Sequence, residues 1–268
     1  MVNSDTAAHL PFWQGLAPTF WHQLTRLGEA QLLLPALLLA TVWLARRPGG
    51  GRLAAVWLAA TAAAALLTTA TKLAFIGYGV GYAPWDFTGI SGHAMFAAAV
   101  LPPLLLLAGS AAGGGANRGG LLLAGYSLAG AVAVSRVMVG AHSWSEVVAG
   151  AALGALCSGV ALATARVPAA RLTHWVPVAL VAWGLVAVTA APPSRSHDLV
   201  TQLALAQSGR AQPYQRWEMQ RDHRLRRPGS VRRHPPGAAL VPGPGAGPGA
   251  GPGVGPAVGT AAGSLQPR

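Results

Sequence analysis

The chain has 268 residues, of which 52% are hydrophobic and only 10% charged, with a formal net charge of +12. So few charges exclude an ordinary soluble domain, where about a quarter of residues are charged. The basic excess does not point to nucleic acid either, because ten arginines and three carboxylates from Arg195 onward account for +7 of it. The one cysteine, Cys157, lies in an apolar run and reads as a packing residue, and it excludes an intrachain disulfide.

Residues 1–28 space Phe12, Trp13, Phe20 and Trp21 among polar side chains, the pattern of a segment lying at the lipid headgroups. Arg46 and Arg47 follow the first apolar run rather than preceding it, which fits a retained anchor better than a cleaved leader. Apolar runs then recur at Glu29–Ala45, Leu53–Ile76, Ala94–Ala108, Gly120–Val139, Val147–Ala165 and Trp175–Ala191. Each approaches the roughly 20 residues a helix needs to cross the hydrocarbon core. The expected fold is therefore all-α, a polytopic transmembrane bundle of about six helices over residues 29–192. The third run is the weakest span, being short and carrying Pro102 and Pro103. Prolines in a span require neighbouring helices to satisfy the freed carbonyls. Gly150 and Gly154 form a small-xxx-small face suited to close helix packing. Residues 193–268, Arg-rich and then Gly/Pro-rich, are expected to be a disordered tail.

Connections after the first, third and fifth helices hold Arg46, Arg47, Arg52, Arg118, Arg166 and Arg171. Those after the second and fourth hold only Lys72 and Arg136. By the positive-inside rule the first set is cytoplasmic. Lys72, Ser91, His93, Arg136, His142 and Glu146 are then expected together at the opposite face. Ser91-Gly92-His93 opens the third apolar run, so Ser91 and the Gly92 N–H sit at a helix start, where unpaired N–H groups and the macrodipole favour an anion. Lys72 and Arg136 add fixed positive charge, and two histidines supply nucleophile and acid–base chemistry near neutral pH. Glu146, four residues after His142, has two readings: orienting partner of the imidazole, or the last residue of a capping box begun at Ser143. A metal site built from His93, His142 and Glu146 lacks a further close ligand and is not expected.

At these residues the chain resembles the type 2 phosphatidic acid phosphatase family, whose signatures are Lys-x6-Arg-Pro, Pro-Ser-Gly-His and Ser-Arg-x5-His-x3-Asp. Ser135-Arg136-x5-His142-x3-Glu146 matches the third with Glu in place of Asp, and Ser91-Gly92-His93 matches the second with Ile90 in place of Pro. Lys72 stands for the first lysine, although no Arg-Pro follows. The resemblance covers about residues 53–165. It implies a phosphatase without metal or other cofactor, with His142 as nucleophile, Glu146 as its orienter and His93 as general acid. Lys72, Ser91, Gly92 and Arg136 would hold the phosphate. The expected substrate is a phosphomonoester or diphosphate on a lipid, in the inner membrane of a bacterium, with the site on the extracytoplasmic side. Expected partners are the bilayer and that lipid, not nucleic acid. The alternative is a non-catalytic membrane protein that binds anionic lipid headgroups through the same cations.

Overall fold

The computed structural model describes residues 18–111, 117–164 and 196–226. These form helices α1 (Pro18–Arg26), α2 (Ala30–Ala45), α3 (Gly51–Tyr78), α4 (Gly92–Ala111), α5 (Arg118–Met138), α6 (Trp144–Thr164), α7 (Ser196–Ser208) and α8 (Arg216–Arg226). No strand occurs among the described residues; a lone bridge pairs Tyr82 with Phe87 around a 3-10 turn at Ala83–Trp85. Among the described residues, five stretches are long and apolar enough to cross a membrane: Phe20–Ala45, Gly51–Tyr78, Gly92–Gly109, Arg118–Met138 and Trp144–Thr164. The expected sixth span, Trp175–Ala191, lies outside the described residues, as does the Gly/Pro-rich stretch.

The third apolar run, the weakest by sequence, is the centre of the bundle. Helix α4 packs against α2, α3, α5 and α6, and Ala94, Ala97, Ala98, Ala99 and Val100 are at most 2% exposed. Short side chains on all sides let four neighbours approach one helix. Pro102 and Pro103 remove the amide donors that would meet the carbonyls of Ala98 and Ala99. Both carbonyls are supplied from other helices: Ser158 Oγ donates to Ala98 O at 2.9 Å and Trp57 Nε1 to Ala99 O at 2.8 Å. The double proline is thereby tolerated inside a continuous helix.

The small-residue face of α6 is used within the chain. A Cβ on Gly154 would overlap Met95 O and stand 2.9 Å from both Ala98 Cβ and Ala99 N, and one on Gly150 would overlap Ser91 O. Only glycine lets α6 sit this close to α4. This contact carries register: Ser91 N, just before α4, donates to Glu146 O in the first turn of α6 at 3.1 Å. The start of α4 and the start of α6 are locked together.

The Arg-rich stretch departs from its expected disorder. Residues 196–226 form α7 and α8, because the segment carries enough apolar side chains to dock on the end of α3. Phe75, Ile76, Ala204 and Met219 make a small buried cluster, Tyr214 N donates to Ile76 O at 2.9 Å, and the Phe75 and Tyr214 rings meet edge to face at 5.5 Å. Gly79 closes α3 in the left-handed conformation, with φ 72°. The loop from Val80 to Ser91 then crosses beneath α8.

Candidate active site

The C-terminal ends of α3 and α5 and the N-terminal ends of α4 and α6 meet at one end of the bundle, and every residue singled out in the sequence lies there. Glu146 is the hub. It is fully buried, and its two carboxylate oxygens face hydrogen-bond donors only. Oε1 accepts from Thr88 N at 2.7 Å and Thr88 Oγ1 at 2.5 Å. Oε2 accepts from Ser143 N at 3.1 Å and lies 2.7 Å from His142 Nδ1. The Ser143 contact is the return half of a capping box, and the same carboxylate lies against the imidazole, so Glu146 makes the contacts that both readings require.

His142 ends the turn after α5, where Ala141 N and His142 N both donate to Arg136 O. Its side chain is 14% exposed. With Nδ1 committed to the carboxylate, the neutral tautomer that donates from Nδ1 leaves Nε2 with its lone pair. Burial is the largest influence on the ring and moves its pKa below the ordinary 6.5; Glu146 opposes that shift, and Arg136 and Lys72 reinforce it.

The cations gather around His93 in the first turn of α4, where Lys72, Arg136 and His142 all act on its charge. Lys72, from α3, makes no ion pair among the described residues, and its Nζ lies 3.9 Å from where a Cβ on Gly92 would stand. Ser91 Oγ and Arg136 Nε are buried without a hydrogen-bond partner among the described residues. The N–H groups of Gly92 and His93 belong to a first helical turn, which offers them no carbonyl. Two cations, an unengaged hydroxyl and a helix N-terminus thus converge with donor capacity to spare, which is what an oxyanion of several acceptor oxygens requires. Among the described residues, no three His, Cys, Asp or Glu side chains are grouped as metal ligands.

Three site contacts carried no sequence signal. Thr25 of α1 is buried and accepts from Arg136 Nη1 at 3.0 Å, so the N-terminal segment reaches the site through α1. Thr71 Oγ1, one residue before Lys72, takes the Ile90 N–H at 3.1 Å and fixes the approach to Ser91. Arg216 of α8 spans two carboxylates: Nη2 lies 2.8 and 2.9 Å from the Glu146 oxygens, and Nη1 lies 2.5 Å from Asp86 Oδ2.

A helical membrane protein with a histidine–carboxylate pair beside a cationic anion cradle has the parts of a phosphoryl-transfer enzyme. The comparisons with known proteins agree: the model of the PAP2 superfamily matches residues 11–168, and the chain belongs to that family of phosphatases. It is 32% identical over 203 residues to an uncharacterized 22.5 kDa protein in the cps region of Klebsiella pneumoniae, an alignment covering 74% of this chain and 97% of the relative. No solved structure matches. The resemblance found at the three motifs therefore extends across helices α1 to α6, and the protein is a membrane phosphatase of the PAP2 type.

Proposed function

We propose that the protein hydrolyses a phosphomonoester or diphosphate carried on a lipid, through a phosphohistidine at His142 and without a metal. The observation that carries this reading is the 2.7 Å approach of His142 Nδ1 to a fully buried carboxylate, next to donors that have no partner among the described residues. A protein that only holds anionic headgroups needs the cations but has no use for an oriented imidazole.

Lys72, Ser91, the Gly92 N–H and Arg136 hold the equatorial oxygens of the phosphoryl group, where negative charge spreads in the transition state. Nε2 of His142 attacks phosphorus as the bond to the lipid oxygen breaks. Glu146 balances the positive charge that the ring acquires. His93 gives its proton to the leaving oxygen. Water then attacks the phosphohistidine, His93 takes its proton, and the P–N bond breaks to release phosphate. Each step is acid–base work that two imidazoles perform near neutral pH.

The site lies at the end of apolar helices, so a substrate whose reactive group sits at the headgroup level and whose chains stay in the bilayer suits it. Phosphatidic acid and polyprenyl diphosphates are the substrate classes to test. The arginine asymmetry between the connections supports an orientation with the site on the extracytoplasmic side, in the inner membrane of a bacterium.

The experiment is phosphate release from a panel of lipid phosphates by detergent-solubilised protein, with rapid acid and alkaline quench of labelled substrate. Turnover with an acid-labile phosphoenzyme that is absent in His142→Ala supports the mechanism; retained turnover in His142→Ala sinks it. For orientation, Pro48→Cys and Val80→Cys, both exposed, are placed in a Cys157→Ala background. Labelling of the second alone by an impermeant thiol reagent in intact cells is the expected result.

A further inference from the structure

We propose that Arg216 is a positioning residue of the phosphatase site: from outside the three family motifs, α8 brings a guanidinium that fixes the Glu146 carboxylate behind His142. This rests on the reading of His142 and Glu146 as the nucleophile and its partner. The family match ends at residue 168, so nothing in it assigns a role to Arg216.

The geometry is that of a built contact. Nη2 reaches both Glu146 oxygens, at 2.8 and 2.9 Å, and also Thr88 Oγ1 at 3.2 Å. Nη1 reaches Asp86 Oδ2 at 2.5 Å and the Asp86 carbonyl at 2.6 Å. A planar guanidinium bonded along two edges is held in orientation, which a lysine ammonium cannot match. The Asp86 turn is shaped for it: Asp86 has φ 51°, a left-handed conformation otherwise seen only at glycines among the described residues. Gln220, one helical turn beyond Arg216, donates from Nε2 to Asp86 Oδ1 at 2.8 Å and to the Ala83 carbonyl at 3.1 Å. The helix is further pinned by buried Met219 and by the bond from Tyr214 to Asp222. This docking orders Thr88, and Thr88 supplies two of the donors to Glu146.

The same contact has an electrostatic consequence. Glu146 favours the charged form of His142, whereas a cation sharing both carboxylate oxygens weakens that support. The groups that act on His142 are Glu146 from α6, Arg136 from α5, Lys72 from α3 and His93 from α4, with Arg216 from α8 acting through Glu146. Arg216 therefore helps keep the imidazole neutral, the form that attacks phosphorus. Its removal stabilises the imidazolium, so the pH below which activity fails moves upward.

The test compares wild type, Arg216→Gln and Arg216→Lys, all full length, in detergent. The readouts are kcat and KM for a lipid phosphate against pH, and the protonation of His142 followed by 15N NMR of histidine-labelled protein. Arg216→Gln is expected to move the acidic limb, and the His142 titration with it, up by about one pH unit. Arg216→Lys should leave the limb in place while kcat falls roughly tenfold, because the charge stays and the fork is lost. An unmoved His142 titration in Arg216→Gln overturns the proposal, and so does an effect confined to KM, which would make Arg216 a direct phosphate ligand. If Arg216→Gln does not fold, an unchanged kcat in Arg216→Lys is the overturning result. Should wild type hydrolyse none of the lipid phosphates, the proposed function fails, and the NMR titration still decides the coupling of Arg216 to His142.

Discussion

Arg136 is tied to Thr25 at one end and open at the other: Nη1 donates to Thr25 Oγ1 at 3.0 Å, while Nε is buried with no acceptor among the described residues. The tie joins α1 to the last turn of α5 and gives the guanidinium one orientation. An arginine with a buried, unanswered N–H is unfavourable unless a ligand completes it. A phosphate oxygen at Nε is the natural complement. Thr25→Val removes the tie and nothing else of comparable size. It is expected to raise KM for a lipid phosphate several-fold with little change in kcat, as Michaelis–Menten curves for the two proteins will show. A change in kcat alone would give Arg136 a different task.

His142 makes stability depend on pH in a defined direction. Burial, working against Glu146, puts its folded-state pKa below the ordinary 6.5 of the unfolded chain. Below about pH 6.5 the unfolded state therefore binds more protons at this site, and stability falls as pH falls through that window; above it the penalty is absent. His142→Gln is expected to lose less melting temperature between pH 7.5 and 5 than wild type does. Parallel losses in the two proteins would show that His142 does not titrate in this way.

Much of this site was legible because its parts stand at helix ends, where a polar residue breaks an apolar run and is easily seen. Lys72, Ser91-Gly92-His93 and Ser135-Arg136 with His142 and Glu146 are such interruptions, and folding brings them together through the Ser91 to Glu146 backbone bond. Arg216 was not legible. It is one of ten arginines from Arg195 onward, and its partner Asp86 lies 130 residues away, so no local pattern marks the pair. The two Pro positions in α4 illustrate the same limit: the sequence says that Ala98 and Ala99 carbonyls need donors, but only the packing shows them to be Ser158 and Trp57. Glu146 was ambiguous for a better reason, since one carboxylate makes both contacts.

The close contact of α6 with α4 should be intolerant of any side chain larger than hydrogen. At Gly154 a Cβ meets backbone atoms of Met95 and Ala99, which cannot rotate away. Gly154→Val is expected to push α6 outward, with a loss of about 3 kcal/mol in stability and a drop in kcat, because Glu146 rides on the same helix. Gly159→Val, where a Cβ meets nothing within 4 Å, serves as the control. Equal melting temperatures for both variants would refute the packing argument.

Truncation separates the two parts of the C-terminal region. Ending the chain after Gly209 removes α8, and with it Arg216, Gln220 and Met219. This is expected to lower the melting temperature and reduce kcat by at least about tenfold, through the loosened Thr88 and Glu146. Ending it after Arg226 keeps every contact described for the site and is expected to leave both near wild type. Comparable activity in the two truncated proteins would remove α8 from the working enzyme.

Glu146 is the most demanding position, because every group around its carboxylate is a donor. Oε1 meets Thr88 N, Thr88 Oγ1 and Arg216 Nη2; Oε2 meets His142 Nδ1, Ser143 N and the same Nη2. An amide in place of the carboxylate must point its NH2 at one of these sets, leaving a backbone N–H unanswered, and it removes the charge that faces Arg216. Glu146→Gln is therefore expected to lose stability, by about 2 kcal/mol. The catalytic loss is of another order. In a Ser-His-Asp enzyme, replacing the carboxylate behind the histidine by an amide costs about ten-thousandfold in kcat, through the wrong tautomer and the lost countercharge. A slowing of more than about a hundredfold, on the order of 3 kcal/mol in barrier, is expected here. Glu146→Asp keeps the charge and restores the residue of the family motif, so it should retain more activity than Glu146→Gln. The measurements are kcat and melting temperature for the three proteins at one pH. Near-wild-type turnover in Glu146→Gln would leave Glu146 as a helix cap and His142 without a catalytic partner.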